Sequence, residues 1–368
     1  MNLQDEIEAA RTTVASDSYP MSIGELQNLY RDNELDIHPE FQRFFRWTDT
    51  QKSRLIESIL INIPLPSIFV AQRKDGVWDV IDGLQRLSTI LQLMGVLKDE
   101  DGKLVGPLTL KSTKYLPSLA GKVWDDDFAR PNSLTRAQQL LIKRAKIDLK
   151  IILPQSDEAT KYELFQRLNT GGSPLSEQEL RNCIWITVDR TFYTWASRLA
   201  REESFRSCIA LSERLIDEKY DVELVTRFLV FRSIDAKNLR NIGDMGEFLT
   251  DESVKMASSP DFDREEEEQA FKTTFSVLSA ALQDDSFRRY DAKRDRFAGA
   301  FLISAFEAVA IGIGHNYRNY RKGKHSDLAD KVKSLWSNQQ FLGRIGSGVR
   351  GSQRVPHTIP LGRDVFKR

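Results

Sequence analysis

The sequence predicts an α+β protein, a small mixed α/β core followed by a mainly α-helical C-terminal domain. Strand-like runs rich in β-branched and aromatic residues, SIFVAQ (67–72), VWDVI (77–81) and KIDLKIIL (146–153), are confined to the first half of the chain. Helical segments with apolar residues three or four apart separate them. Beyond Ile186 that helical spacing takes over almost completely. The expected boundaries are therefore 1–185 for the core, 186–340 for the helical domain and 341–368 for a basic Gly/Arg-rich tail.

Composition narrows the class. With 368 residues, 40% hydrophobic and 29% charged, the chain has the make-up of a soluble globular protein large enough for two domains. No apolar run reaches the ~18–20 residues of a membrane span. The start, MNLQDEIEAARTTVA, is acidic and lacks the pattern of a signal peptide, so a cytoplasmic protein without a membrane partner is expected. Cys183 and Cys208 have neither CxxC spacing nor a nearby histidine and read as reduced core residues. Net charge is zero but unevenly spread. Residues 1–50 hold ten acids and four bases, whereas 301–368 hold twelve bases and four acids, which suits contact with phosphates at the C-terminal end.

The elements follow in order. Residues 2–15 and 23–31 read as helices, the second opened by Ser22 with Glu25 in the capping-box position. LDIHPEFQRFFRW (35–47) is extended in character, since Pro39 disfavours helix and Phe41, Phe44, Phe45 and Trp47 supply apolar anchors. Gln42, Arg43 and Arg46 lie among those rings, a mixture that either clamps phosphates or lays its stems across a core edge. Thr48 caps a helix over 49–61 that Pro64 and Pro66 stop, and strands 67–72 and 77–81 form a hairpin around Lys74-Asp75-Gly76. Residues 96–132 read as an insertion with a short strand near Leu108–Leu110. A helix over 134–144, the strand 146–153 and a helix over 158–168 complete the core. Further helices are expected near 188–201, 221–233, 242–257, 265–281, 298–316 and 326–338, with an irregular end.

The hairpin delivers the chain to VWDVIDGLQRLSTILQLMG (77–95). There Asp82-Gly83 breaks the strand, and a helix restarts with Leu84, Leu87, Ile90, Leu91 and Met94 on one face. Asp82, Gln85, Arg86, Ser88 and Thr89 therefore gather at a strand-to-helix junction. Unpaired N–H groups and the positive end of a helix dipole favour an anion at such a place, and Arg86 adds a forked cation. An ordinary Asp-Gly turn with Arg86 facing solvent is the competing reading. A second corner, FQRLNTGGSPLSEQELRN (165–182), joins two helices through Gly171-Gly172 and a Ser176/Glu179 capping box. Its glycines suit either a helix–turn–helix corner or a backbone approach to phosphate.

Taken together, EFQRFFRW, LIESILINIPLPSIFV, VIDGLQRLSTI and LFQRLNTGGSPLSEQELRN resemble, in that order, the N-terminal domain of GmrSD-type modification-dependent restriction proteins, within the ParB/sulfiredoxin-like superfamily. The resemblance spans roughly residues 20–185. It implies a ParB/sulfiredoxin-like core that binds or hydrolyses a nucleoside triphosphate, with Mg²⁺ the expected cofactor, in a prokaryotic anti-phage or restriction system acting on DNA. On this chain its motif residues are Asp82, Gly83, Gln85 and Arg86, of which Asp82, Gln85 and Arg86 are expected to be catalytic, with Asp82 either holding Mg²⁺ or orienting the attacking water. It further implies Gln42, Arg43, Gly83, Arg167, Asn169, Gly171 and Gly172 as nucleotide-binding residues, to which the polar junction itself adds Ser88 and Thr89. Leu84 stands where the family commonly carries a second glutamine. Many relatives add a His-Asn-His nuclease. This chain has only His38, His315, His325 and His357, with none in the eleven residues after His357, so such a nuclease is not expected and a separately encoded nuclease or effector subunit is. The basic end assigns DNA contacts to Arg318, Arg321, Lys322, Lys324, Arg350 and Arg354. The competing functional readings are a non-catalytic DNA-binding, modification-sensing module and a ParB-like DNA-nicking nuclease.

Overall fold

A computed structural model describes residues 2–5, 16–37, 47–99, 102–125, 130–153, 176–321, 325–346 and 348–367. The chain divides into two compact units, Met1–Pro174 and Leu175–Arg368. The first is mixed α/β around a five-stranded sheet and the second is mainly helical, as expected.

In the first unit, β1 (Ser16–Ser22) precedes α1 (Ile23–Arg31), whose N-cap Ser22 accepts a hydrogen bond from the Glu25 N–H at 3.1 Å. β2 (Leu35–Asp36) follows, then α2 (Asp49–Leu60), which opens with a Thr48/Gln51 capping box. β3 (Ile68–Gln72) and β4 (Trp78–Asp82) form the expected hairpin, and α3 (Leu84–Leu93) leaves directly from the end of β4. α4 (Arg136–Arg144) and β5 (Lys146–Ile152) close the described part of the unit. The sheet order is β1-β5-β3-β4-β2. β3 lies in the middle, parallel to β5 with Ile68 opposite Leu149, and antiparallel to β4 with Val70 opposite Val80. Ile68 and Val70 join Ile23, Leu26, Ile56, Leu87, Leu91 and Ile142 in one buried core. At the far edge Arg73 clamps β2 to β4, reaching Asp36 at 2.7 Å and Asp79 through two of its nitrogens.

The described residues of 96–132 pack down rather than out. Leu108, Leu110 and Leu119 are buried. The Glu57 carboxylate of α2 accepts the N–H groups of Tyr115 and Leu116 at 2.7 and 3.0 Å, and Ser53 accepts that of Lys111 at 2.8 Å. Burial alone would raise the Glu57 pKa; these bonds and one from Thr113 hold it below the ordinary carboxylate value. The strand expected near Leu108–Leu110 does not form. Leu110 exchanges hydrogen bonds only with Lys122 and Gly121, which is too little for a ladder.

In the second unit, α5 (Glu177–Leu199) opens with the Ser176/Glu179 capping box and breaks at Asp189, whose φ and ψ are −155° and 99°. The Asp189 carboxylate caps the second half by accepting from Thr191 and Phe192 N–H, so the helix start read near Val188 marks a kink inside a longer element. Then come α6 (Glu203–Ile209), α7 (Glu213–Asp217), α8 (Tyr220–Ser233), α9 (Met245–Ser258) and α10 (Arg264–Ala281). A small hairpin of β6 (Arg289–Asp291) and β7 (Arg296–Ala298) leads to α11 (Ile303–His315), α12 (Leu328–Leu335), α13 (Gln339–Leu342) and α14 (Gly351–Val365). Phe205, Phe228, Phe271, Phe275, Phe287 and Phe306 form its aromatic centre. Cys183 and Cys208 are free thiols, and burial pushes the Cys208 pKa up to about 11.

The end of the chain corrects the expectation of an irregular tail. α14 is helical despite Pro356 and Pro360, and buries Val355, Thr358, Ile359 and Gly362 against α11. Gly312 and Gly362 let the two backbones meet: a Cβ on Gly362 would lie 2.0 Å from the Ala308 carbonyl oxygen. Arg363 and His315 close the C-terminal end of α8, with Arg363 donating to the Phe231 and Ile234 carbonyls and His315 Nδ1 lying 3.0 Å from the Arg232 carbonyl. Burial, then repulsion from Arg363 and Arg232, depresses the His315 pKa, against the hydrogen bond to Arg232. A histidine depressed in the fold stabilises it above its unfolded pKa of about 6.5 and ceases to as pH falls through its folded value. His315→Gln should therefore lose less stability than the wild type on going from about pH 7 to 5. Parallel stability–pH curves for the two proteins would contradict this.

Candidate functional site

The corner between β4 and α3 assembles from the residues the sequence singles out. β4 ends on Asp82, and Gly83 turns the chain with φ +96°, a left-handed conformation that glycine adopts without penalty. The space is as restricted as the torsion: a Cβ on Gly83 would lie 2.8 Å from Ile68 Cγ1 and 3.3 Å from Arg86 Nη2. α3 then starts with no side chain capping its first N–H groups.

Arg86 is the fastener of this corner. Its Nη2 donates to Asp82 Oδ2 at 2.9 Å, and its Nη1 donates to the Ser67 carbonyl at 3.1 Å and to the Pro66 carbonyl. The strand end, the helix start and the loop entering β3 are thus tied by one guanidinium. The Arg86 side chain is 12% exposed and that of Asp82 43%, so the pair presents a carboxylate outward from a buried cation. Burial lowers the Arg86 pKa and Asp82 works against that shift. Gln85 Oε1 accepts the Trp47 N–H at 3.4 Å, which anchors residue 47 at the same corner. Thr89 is buried and donates back to the Gln85 carbonyl at 2.7 Å, and Ser88 is buried with its hydroxyl unpaired.

Gln42, Arg43, Arg167, Asn169, Gly171 and Gly172 lie outside the described residues. Among the described residues no group of three or more His, Cys, Asp or Glu converges to hold a metal ion. Asp82 offers a single outward carboxylate, a donor set that suits Mg²⁺ when phosphate oxygens and water complete its shell. The carbonyls of Pro66 and Ser67 are the site feature that the sequence reading missed. The Pro64 and Pro66 pair signals only that a helix stops, and nothing local reports that an arginine twenty residues on will use the carbonyls.

The basic residues of the second unit fall in separate places. Arg318 pairs with Glu266 at 3.1 Å and Arg321 is exposed, both near the C-terminal end of α14; Lys322 and Lys324 lie outside the described residues. Arg350 is the exposed N-cap at the other end, and the helix between spans about 22 Å at 1.5 Å per residue. Arg354 is held bidentately by buried Glu307 at 2.7 and 2.9 Å.

Fold and corner together define a mixed α/β domain with an open strand–helix junction, followed by a helical unit. Residues 23–186 match the family described as GmrSD restriction endonuclease, N-terminal domain, and this stretch of the chain carries that domain. The match takes in every described element from α1 to the part of α5 just before the Asp189 kink. No curated protein matches the chain. Among the described residues no helix is long and apolar enough to cross a membrane.

Proposed function

We propose that the chain is a component of a phage-restriction system acting on DNA, and that its α/β unit binds and hydrolyses a nucleoside triphosphate at the Asp82–Arg86 corner. The observation that carries the nucleotide reading is the outward Asp82 carboxylate, locked by Arg86 beside the uncapped N-terminus of α3. N–H groups of the first helical turn receive phosphate oxygens, and Gly83 lets the backbone approach them closely. Asp82 is the residue that would hold Mg²⁺, which neutralises phosphate charge when bound. Arg86 keeps that carboxylate in place, and Gln85 orients water or ribose. In hydrolysis the water oxygen bonds to the γ-phosphorus as the bond to the β–γ bridging oxygen breaks. The domain match supports the restriction-system part, and a separately encoded nuclease or effector is the proposed partner.

The test is phosphate release from a panel of nucleoside triphosphates with Mg²⁺. Asp82→Asn is expected to lower the rate about 100-fold, the scale of losing one charge-stabilising group, and Arg86→Lys to lower it while hydrogen exchange across β3–β5 stays protected. Undiminished release by Asp82→Asn would remove the corner from the chemistry.

A further inference from the structure

The helical unit contains an open cleft of about 740 Å³ lined by Arg240, Arg344, Ser352, Gln353, Pro356 and His357, together with Gly343 and Val349. No acidic residue lines it. Arg240 comes from the short turn Asn238–Asn241, Gly343 and Arg344 from the end of α13, and the rest from the first turns of α14 and the residues just before it. Neither Arg240 nor Arg344 has an ion-pair partner among the described residues, whereas Arg227, Arg232, Arg264, Arg318 and Arg354 are all paired with acids. Two guanidinium groups left unneutralised across an acid-free concavity form a local positive field that an anion relieves. α14 contributes in the same sense. Its N-cap is Arg350 and no side chain caps it, so the positive end of a fifteen-residue helix opens beside Ser352 and Gln353.

We propose that this cleft is a phosphate-binding site, taking the phosphodiester of a nucleic-acid backbone or the phosphates of a free polyphosphate. Arg240 and Arg344 grip phosphate oxygens from two sides, and Ser352, Gln353 and a ring N–H of His357 supply further hydrogen bonds. The site is independent of the nucleotide corner and stands whether or not that corner turns over nucleotide.

The test uses the full chain and the variant Arg240→Gln/Arg344→Gln. A control pair, Arg289→Gln/Arg296→Gln, removes the same charge from the β6–β7 hairpin. One arm titrates a fluorescent 20-base-pair DNA duplex at several salt concentrations, and the other titrates inorganic pyrophosphate by calorimetry. For the duplex, the cleft variant is expected to bind about tenfold more weakly, with a log–log salt slope shallower by about 2, at roughly 0.9 per phosphate contact. Loss confined to the duplex assigns the site to a nucleic-acid backbone, and loss of pyrophosphate binding assigns it to a free polyphosphate. Equal binding of both probes by wild type and cleft variant, or an equal loss in the control pair, overturns the proposal. Nucleoside triphosphate hydrolysis should be unchanged in the cleft variant, so failure here and failure of the Asp82–Arg86 reading register in different assays.

Discussion

Replacing Glu307 with leucine is expected to cost the helical unit about 3–5 kcal/mol, the range for removing one partner of a buried ion pair. Glu307 is fully buried on α11 and accepts two hydrogen bonds from Arg354 of α14, with Arg227 of α8 3.5 Å from the same carboxylate. Burial pushes the adjacent Tyr220 phenol up to about 12, so it brings no second negative charge near neutral pH. Without Glu307, Arg227 keeps Glu223 at 2.8 Å, but Arg354 is left as a largely buried cation bonded only to the Val349 carbonyl. The double variant Glu307→Leu/Arg354→Leu should therefore recover most of the loss, because it removes the orphaned charge along with its partner. Amide exchange in α11 and α14 reads the effect within the unit. A double variant no more stable than Glu307→Leu would show that the penalty comes from packing instead of charge.

The same pair shows why the C-terminal helix was hidden in the sequence. Two prolines, three glycines just upstream and a scatter of arginines are the local marks of an irregular tail. What makes 351–365 helical is non-local: the Gly312–Gly362 contact, the buried face of Val355, Thr358, Ile359 and Gly362, and the Arg354–Glu307 bonds. β1 was overlooked for a related reason. SDSYPMS has no alternating pattern, since its first five residues are exposed at the sheet edge, and Pro20 is tolerated because β1 pairs with β5 alone. By contrast β3, β4, α2, α3 and α8 carry their period in their own residues, and their positions could be read directly.

The candidate site divides along the same line. Asp82, Gly83 and Arg86 were legible as a junction because strand and helix periods meet there. That Arg86 turns inward to the Pro66 and Ser67 carbonyls was not, because it depends on where β3 starts in three dimensions. The consequence for chemistry is a division of labour. Arg86 is built into the corner as a fastener, and the group presented outward is its partner Asp82. Arg240 and Arg344 show the complementary case. Each sits in a segment with no periodic signal, and only their convergence on one acid-free cleft distinguishes them from other surface arginines.

Gly83→Ala should damage the α/β unit far more than Gly76→Ala, although both glycines have nearly the same torsion, φ +96° and +92°. The shared left-handed penalty is about 1–2 kcal/mol for an L-residue. At Gly76 that is the whole expected cost, because a Cβ there meets nothing within 4 Å. At Gly83 the new methyl would stand 2.8 Å from Cγ1 of the fully buried Ile68 at the start of β3, and the Arg86 guanidinium blocks retreat at 3.3 Å. Overpacking of that kind adds roughly 1–3 kcal/mol, so Gly83→Ala is expected to lose about 2–5 kcal/mol in all. Hydrogen exchange of β3–β5 amides measures both variants on the same unit; equal losses would mean that Ile68 moves aside without cost. If Ile68 holds, α3 must shift to relieve the contact. Asp82 then separates from the helix start, and the proposed nucleotide hydrolysis should fall with stability in Gly83→Ala while Gly76→Ala retains it. The torsional cost common to the two glycines cancels in that comparison, which leaves the close packing of Gly83 on Ile68 as the feature that positions the site.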